Sequence, residues 1–510
     1  MSFRTRNSIK NIVFSEISYV VILLLQFMNR SVFIHFLPEE YLGMNGLFSN
    51  VLSFLSLAEL GVGSAINFAL YKPLKEGDVE ALKSLMSLYR HLYKAVGVIV
   101  FILGSILMPF LPLLIKDLNS DIKYIYLYFM LYLFNSGISY FYTYKRSLII
   151  CDQKEYISTV ATTISSIVLK VMQIAVLIVF ESYAAYLSVM VAATIAENLI
   201  ISAVADKMYP YLKDKNNKEL DPKVLREIKK NVFALIFHRI GEIIVYATDN
   251  IIISKFIGLV SVGLYSNYTL IIQAVKTVTN RFFNAITASL GNLVAFDDKE
   301  YVEKMLYNIL FINAWIFSFC SISLLCLLQP FIKLWLGEKF LLSDSTVVII
   351  VINFYLTGMR STVLMFRNAT GIFWYDRYKP IAEGAINLIM SVPLALRYGI
   401  AGTLSGTIIS TLSVPFWVEP YILFKYYFNK KFYGFMLRQL KYLIMTIGIS
   451  ALTYLLCITA RFSPLMTLTA RIMLCVFVPN VCMSIIFRKD DSYVYFKSSI
   501  ARIFMKLRDF

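Results

Sequence analysis

Charge is scarce in this chain. Lysine, arginine, aspartate and glutamate make up only 16% of its 510 residues, against about 25% in an ordinary soluble domain. Histidine is scarcer still, with His35, His91 and His238 alone. The six cysteines (Cys151, Cys320, Cys326, Cys457, Cys475 and Cys482) are scattered and form no C-x-x-C pair. Neither a disulfide framework nor a zinc site is therefore expected, and no metal or other cofactor. The sequence also contains no P-loop, no G-x-S-x-G, no H-E-x-x-H and no convincing dinucleotide fingerprint, so it offers no catalytic residues. Without a P-loop the chain does not hydrolyse ATP by the usual route. Any energy it uses comes from an ion gradient, the membrane potential or the substrate's own gradient.

Apolar sequence is abundant. Hydrophobic residues make up 58% of the chain and the mean hydropathy is +0.67, more than a soluble core can absorb. A bilayer absorbs it, because each helical crossing needs about 20 apolar residues in a row. Stretches of that length recur at 9–36, 41–71, 95–115, 124–144, 157–180, 183–204, 231–256, 262–290, 305–332, 347–366, 380–396, 400–424, 433–460 and 463–487. The expected fold class is an all-α integral membrane protein with about fourteen transmembrane helices. No small-residue cleavage site precedes the second stretch, so the first reads as a retained helix. With a cytoplasmic N-terminus, about 35 basic residues fall on the cytoplasmic side and about 7 outside, which places both termini inside. Topology thus accounts for the net charge of +17, and nucleic acid is not an expected partner.

Sliding the chain on itself by 220 positions places Lys10-Asn11 on Lys230-Asn231, Asn29 on Asp249, Phe36 on Phe256 and Gly43 on Gly263. Asp78-Val79-Glu80 falls on Asp298-Lys299-Glu300. One ungapped offset across two crossings and a loop points to a duplication, with shared apolar composition as the alternative. The first and seventh helices run the same way, which makes the two six-helix halves parallel repeats. The expected organisation is an N-lobe over 1–207, a cytoplasmic linker over 208–230 and a C-lobe over 231–427. Two further helices over 428–487 and an amphipathic cytoplasmic tail over 488–510 complete it.

Ionisable residues inside spans are costly, about 2.5–3.5 kcal/mol each at a helix centre, which biases them toward the protein interior or a wet cavity. Glu16 and Arg30 lie near one face of the first helix, Glu242 and Asp249 near one face of the seventh. The second helix carries Glu59, the eighth Lys276 and Arg281, and the tenth Arg360. His238 and Arg239 lie in the cytoplasmic half of the seventh. Plainer roles compete. Arg239 and Glu242 neutralise one another at i, i+3 in one reading, and Arg281 and Glu16 snorkel to headgroups. Arg360 pairs with an acid such as Glu383, and His238 is a packing residue.

The run Glu40-Tyr41-Leu42-Gly43-Met44-Asn45-Gly46-Leu47-Phe48-Ser49-Asn50, with Ala58-Glu59-Leu60-Gly61-Val62-Gly63 and Leu70-Tyr71-Lys72-Pro73-Leu74, resembles the second helix of Wzx-type polysaccharide repeat-unit flippases. These belong to the multidrug/oligosaccharidyl-lipid/polysaccharide (MOP) exporter superfamily. Asn368-Ala369-Thr370-Gly371, Asp376-Arg377, Glu383, Asn387 and Tyr398-Gly399-Ile400-Ala401-Gly402-Thr403 agree with it. The resemblance implies MATE-like V-shaped lobes around a central cavity in the bacterial cytoplasmic membrane. It also implies a substrate of sugar repeat units on undecaprenyl pyrophosphate, moved from inner to outer leaflet for capsule, O-antigen or exopolysaccharide synthesis. Polysaccharide-assembly proteins are possible partners. On that footing Arg30, Lys276, Arg281, Arg360 and Arg239 are candidate cations for the pyrophosphate. Glu59, Glu242 and Asp249 are candidate cavity acids or sites of H+ or Na+ coupling. No single role transfers from the family to one of these positions. The competing readings are a cation-coupled multidrug exporter, which predicts a more acidic site, and a peptidoglycan-precursor flippase. A membrane polysaccharide polymerase would need a large outer loop that this chain lacks.

Overall fold

The computed structural model describes residues 3–508 except 60, 117–123, 214–219, 221, 227, 230–231, 233–247, 297, 373–374 and 460–462. The described residues are helical, with no strand among them. Chain contacts divide the molecule into two compact units, Met1–Gly263 and Leu264–Phe510.

The first unit contains α1 (Phe3–Phe36), α2 (Glu39–Leu55), α3 (Val62–Glu76), α4 (Val79–Leu107), α5 (Ile125–Tyr140), α6 (Thr143–Cys151), α7 (Glu155–Phe180), α8 (Tyr183–Met208) and α9 (248–256). Helix α1 packs along α7, α7 along α8, and α5 against both α4 and α8. Two apolar cores result. One gathers Phe33, Leu42, Phe48, Phe129 and Leu187, and the other Ile66, Leu82, Tyr93, Leu148 and Ala205. Helices α2 and α3 meet at a bend of 50°, made by the 3-10 turn Ser56–Glu59 and by Gly61. Gly61 sits at φ 74°, a left-handed conformation that suits glycine.

From α10 (Leu259–Phe296) onward come α11 (Lys299–Leu336), α12 (Asp344–Thr370), α13 (Lys379–Ser413), α14 (Pro415–Leu423), α15 (Tyr433–Thr459), α16 (Pro464–Phe487) and α17 (Asp491–Arg508). Helix α11 is the hub of the second unit, with α12, α15, α16 and α17 all packed on it. Interhelical hydrogen bonds reinforce this packing: Asn313 Nδ2 donates to the Gly358 carbonyl at 3.0 Å, and the Ser318 and Thr446 hydroxyls meet at 2.6 Å. The tail helix α17 docks on protein, with Tyr493 stacked on Trp315 at 5.7 Å and Phe496 beside both Trp315 and Phe311.

Among the described residues nine helices are long and apolar enough to cross a membrane, or ten if the bent α2–α3 pair is one span. The difference from about fourteen has local causes. Most of the stretch at 231–256 lies outside the described residues, α5 is only 16 residues long, the 262–290 stretch falls in α10, which is not among the nine, and α13 runs two expected stretches together across a break at Gly399 (φ 62°, ψ −137°). Large side chains such as Leu24, Phe68, Val179, Ile389 and Leu437 lie more than half exposed, which suits a surface bathed in lipid.

The 220-residue offset has structural counterparts. Helices α2 and α10 begin at Glu39 and Leu259, and α4 and α11 at Val79 and Lys299. Asp78 and Asp298 perform one task at these latter starts, each carboxylate accepting the first-turn amide three residues on, at 3.0 and 2.7 Å.

Candidate functional site

A cavity of about 510 Å³ opens inside the first unit. Helix α2 lines it with Asn45, Ser49 and Ser53, and the 3-10 turn after it adds Ser56, a polar stripe at about one-turn spacing. Tyr132, Asn135 and Ser136 of α5 face it, with Lys170 and Gln173 of α7 and Tyr186 of α8. Tyr186 is itself a member of the first apolar core, and Tyr132 packs against it. No aspartate or glutamate is among the described residues that line it.

Hydrogen bonds hold the polar wall in place. The Asn29 amide donates to the Tyr186 hydroxyl at 2.8 Å and to Gln173 Oε1 at 3.4 Å, and Lys170 Nζ donates to the same Gln173 oxygen at 3.1 Å. Asn45 Oδ1 accepts from the hydroxyls of Tyr132 and Tyr183. The buried Asn135 Oδ1 has no hydrogen-bond partner among the described residues, an unmet acceptor on the cavity wall.

Two cations belong to this site. Lys170 is on the wall, and half-buried Arg30 lies within electrostatic reach of Lys170, Tyr132 and Tyr186. Like charges placed close together in a region of low dielectric repel, and an anion between them relieves the repulsion. Arg30 was singled out in the sequence and Lys170 was not, although a lysine in the middle of the 157–180 stretch is the same kind of signal. The serine stripe of α2 was also legible as a one-turn repeat.

The other expected residues are distributed differently. Glu59 sits at the α2–α3 break, where its carboxylate accepts from Tyr93, with Tyr89 and Tyr140 nearby. It does not line the cavity. Asp249 is half-buried in α9, while Arg239 and Glu242 lie outside the described residues, as does His238. Lys276 and Arg281 are half-buried on α10. Among the described residues the Lys276 ammonium has no ion-pair partner.

Arg360 is the centre of a buried ion network in the second unit. Its guanidinium forks onto Glu419 at 2.8 and 3.2 Å and reaches Glu383 at 3.2 Å. Lys379 also pairs with Glu419 and lies 3.5 Å from Asp376, which pairs in turn with Arg367. Three cations thus face three carboxylates, and the cluster is neutral as a whole. The expected Glu383 partner is present. Glu419 and Lys379 were not singled out in the sequence, though Glu419 interrupts an apolar stretch. Asp376 and Glu383, two of the positions that carry the family resemblance, are members of this clasp.

Comparison with known proteins places these observations. The profile of the family described as "Polysaccharide biosynthesis protein" matches residues 8–287. No curated protein matches by sequence. The fold is similar to that of the lipid II flippase MurJ in an inward closed conformation, with a TM-score of 0.65 at 13% identity over 94% of this chain and 99% of that one. The Vibrio cholerae MATE transporter VcmN in its bent form gives 0.56 at 12% identity, over 83% and 97%. A Pyrococcus furiosus MOP superfamily transporter, described by the reverse polarity of its binding pocket, gives 0.51 at 13%, over 79% and 92%. At these identities the likeness is one of fold.

Proposed function

This chain belongs to the polysaccharide biosynthesis protein family, and from that premise we propose that it is a flippase for undecaprenyl-pyrophosphate-linked oligosaccharide repeat units. It carries them from the inner to the outer leaflet of a bacterial cytoplasmic membrane. Residues 1–207 and 231–427 act as the two lobes of an alternating-access cycle, and both termini face the cytoplasm.

The carrying observation is the cavity itself: Lys170 on the wall, Arg30 within its electrostatic reach, amide and hydroxyl groups around them and no carboxylate among the described residues of the lining. A pyrophosphate needs cations and polar contacts to leave water, and sugar hydroxyls need paired donors and acceptors. Asn135 Oδ1 and the α2 serines offer such partners. With the cell interior negative, outward movement of an anionic headgroup is favoured by about 2.3 kcal/mol per charge at 100 mV. Glu59, held at a helix break by Tyr93, is the group in the first unit best placed to exchange a coupling H+ or Na+. Lys276, Arg281 and Asp249 are assigned to the same pathway.

The test is reconstitution into vesicles with a labelled lipid-linked oligosaccharide. The label should change leaflet without ATP. Lys170→Ala and Arg30→Ala should each slow that movement about tenfold, a loss of roughly 1.4 kcal/mol, with membrane insertion intact. Transport of an organic cation in place of the lipid would move the chain to the drug-exporter reading.

A further inference from the structure

Three of the six cysteines, far apart in the chain, converge in the second unit. Cys326 of α11, Cys457 of α15 and Cys475 of α16 place their sulfurs within 4.8 Å of one another. All three are buried. No short-range spacing links them, so the sequence reading of scattered thiols, with no metal site expected, did not detect them. Only the packing of α15 and α16 on α11 makes the cluster. Arg471 lies beside it, donating from Nε to the Cys457 carbonyl at 3.1 Å and within electrostatic reach of Cys457 and Cys475.

We propose that Cys326, Cys457 and Cys475 form a binding site for a soft monovalent cation, Cu(I), that clamps the two C-terminal helices to α11. Thiolates select soft metals, and the number of ligands selects among those. Structural zinc sites are almost always four-coordinate, whereas this group comprises three sulfurs, with no histidine, carboxylate or fourth cysteine joining it among the described residues. Cu(I) is satisfied by two or three sulfurs.

Charge balance points the same way. One Cu(I) displaces protons from two thiols and leaves two Cu–S bonds, two released protons and one net negative charge. The Arg471 guanidinium neutralises that charge. Ionising the third thiol would add a second negative charge in apolar surroundings, so it stays protonated and contributes only a lone pair. Because the ligands come from three helices, binding favours the packed state over any in which α15 and α16 have separated from α11.

The experiment uses the full chain, purified metal-free and reduced in detergent, then titrated without oxygen with Cu(I) against bathocuproine disulfonate. One Cu(I) per chain should bind, with an all-sulfur shell in X-ray absorption. Cys326→Ser, Cys457→Ser and Cys475→Ser should each weaken binding tenfold or more, while Cys320→Ser and Cys482→Ser should bind as the unaltered chain does. Should a serine variant fail to fold, the unaltered chain gives the answer by itself: its X-ray absorption should show two or three sulfur ligands and no nitrogen or oxygen. Absence of stoichiometric Cu(I), displacement of Cu(I) by equimolar Zn2+, or a shell with nitrogen or oxygen ligands would overturn the proposal.

Discussion

Arg30 and Arg360 present the same signal in the primary structure, a guanidinium in the middle of an apolar stretch, yet their surroundings differ. Arg360 is neutralised by Glu419 and Glu383, whereas Arg30 shares its surroundings with a second cation, Lys170. The first arrangement holds helices together and the second suits an anionic ligand. Arg360→Met would leave Glu419 and Glu383 sharing Lys379 in a buried site. Breaking a buried pair in this way costs about 3–5 kcal/mol, so thermal unfolding in detergent should begin well below that of the parent chain. Adding Glu383→Gln should recover part of the loss, because it removes one of the uncompensated charges; a strictly additive double variant would contradict the network.

Helix starts agree most closely with the 220-residue offset. Asp78 and Asp298 match in sequence because each caps the helix that follows, a task that needs a short acceptor side chain one residue before the first turn. Asp298→Ala should therefore lower stability by about 1 kcal/mol, and Asp78→Ala by a similar amount, in denaturant or thermal titrations. Gly43 and Gly263, also matched by the offset, have a different reason to be glycine. They lie against one another in the first unit: a Cβ on Gly43 would overlap the Leu259 carbonyl, and one on Gly263 would come within 2.8 Å of the Glu39 carbonyl. Gly43→Ala forces main chain against main chain, and we expect a loss of about 1–3 kcal/mol by the same assay. The bend between α2 and α3 was not anticipated: its 3-10 turn is built of Ser56, Leu57, Ala58 and Glu59, none of them a helix breaker, and Gly61 was its one signal in the sequence.

Across the molecule the hydropathy pattern and the packing describe one protein with a lipid-facing skin and polar groups kept inside. The tail is the exception to its own pattern. Its amphipathic sequence fits a leaflet surface, but Tyr493 and Phe496 cover Trp315 and Phe311 of α11. Deleting residues 491–510 should uncover Trp315, shift tryptophan emission to longer wavelength and lower the unfolding temperature; unchanged emission would mean that the tail is not seated on α11. The same helix also receives α15, α16 and the three converging cysteines, so the hub of the second unit is the helix on which the elements outside the repeat are anchored.

Membrane class, the 220-residue offset and the candidate charges were legible in the linear chain. Each rests on a constraint that acts along one segment: the thickness of hydrocarbon, the period of a helix, the cost of an ionisable group inside it. The partners were not legible in that way. That Arg360 meets Glu419, that Lys170 joins Arg30 beside a serine-lined cavity, and that three distant thiols meet on α11 depend on which helices lie side by side. Within one apolar helix many neighbours are nearly equal in hydrophobic free energy, and close packing selects among them.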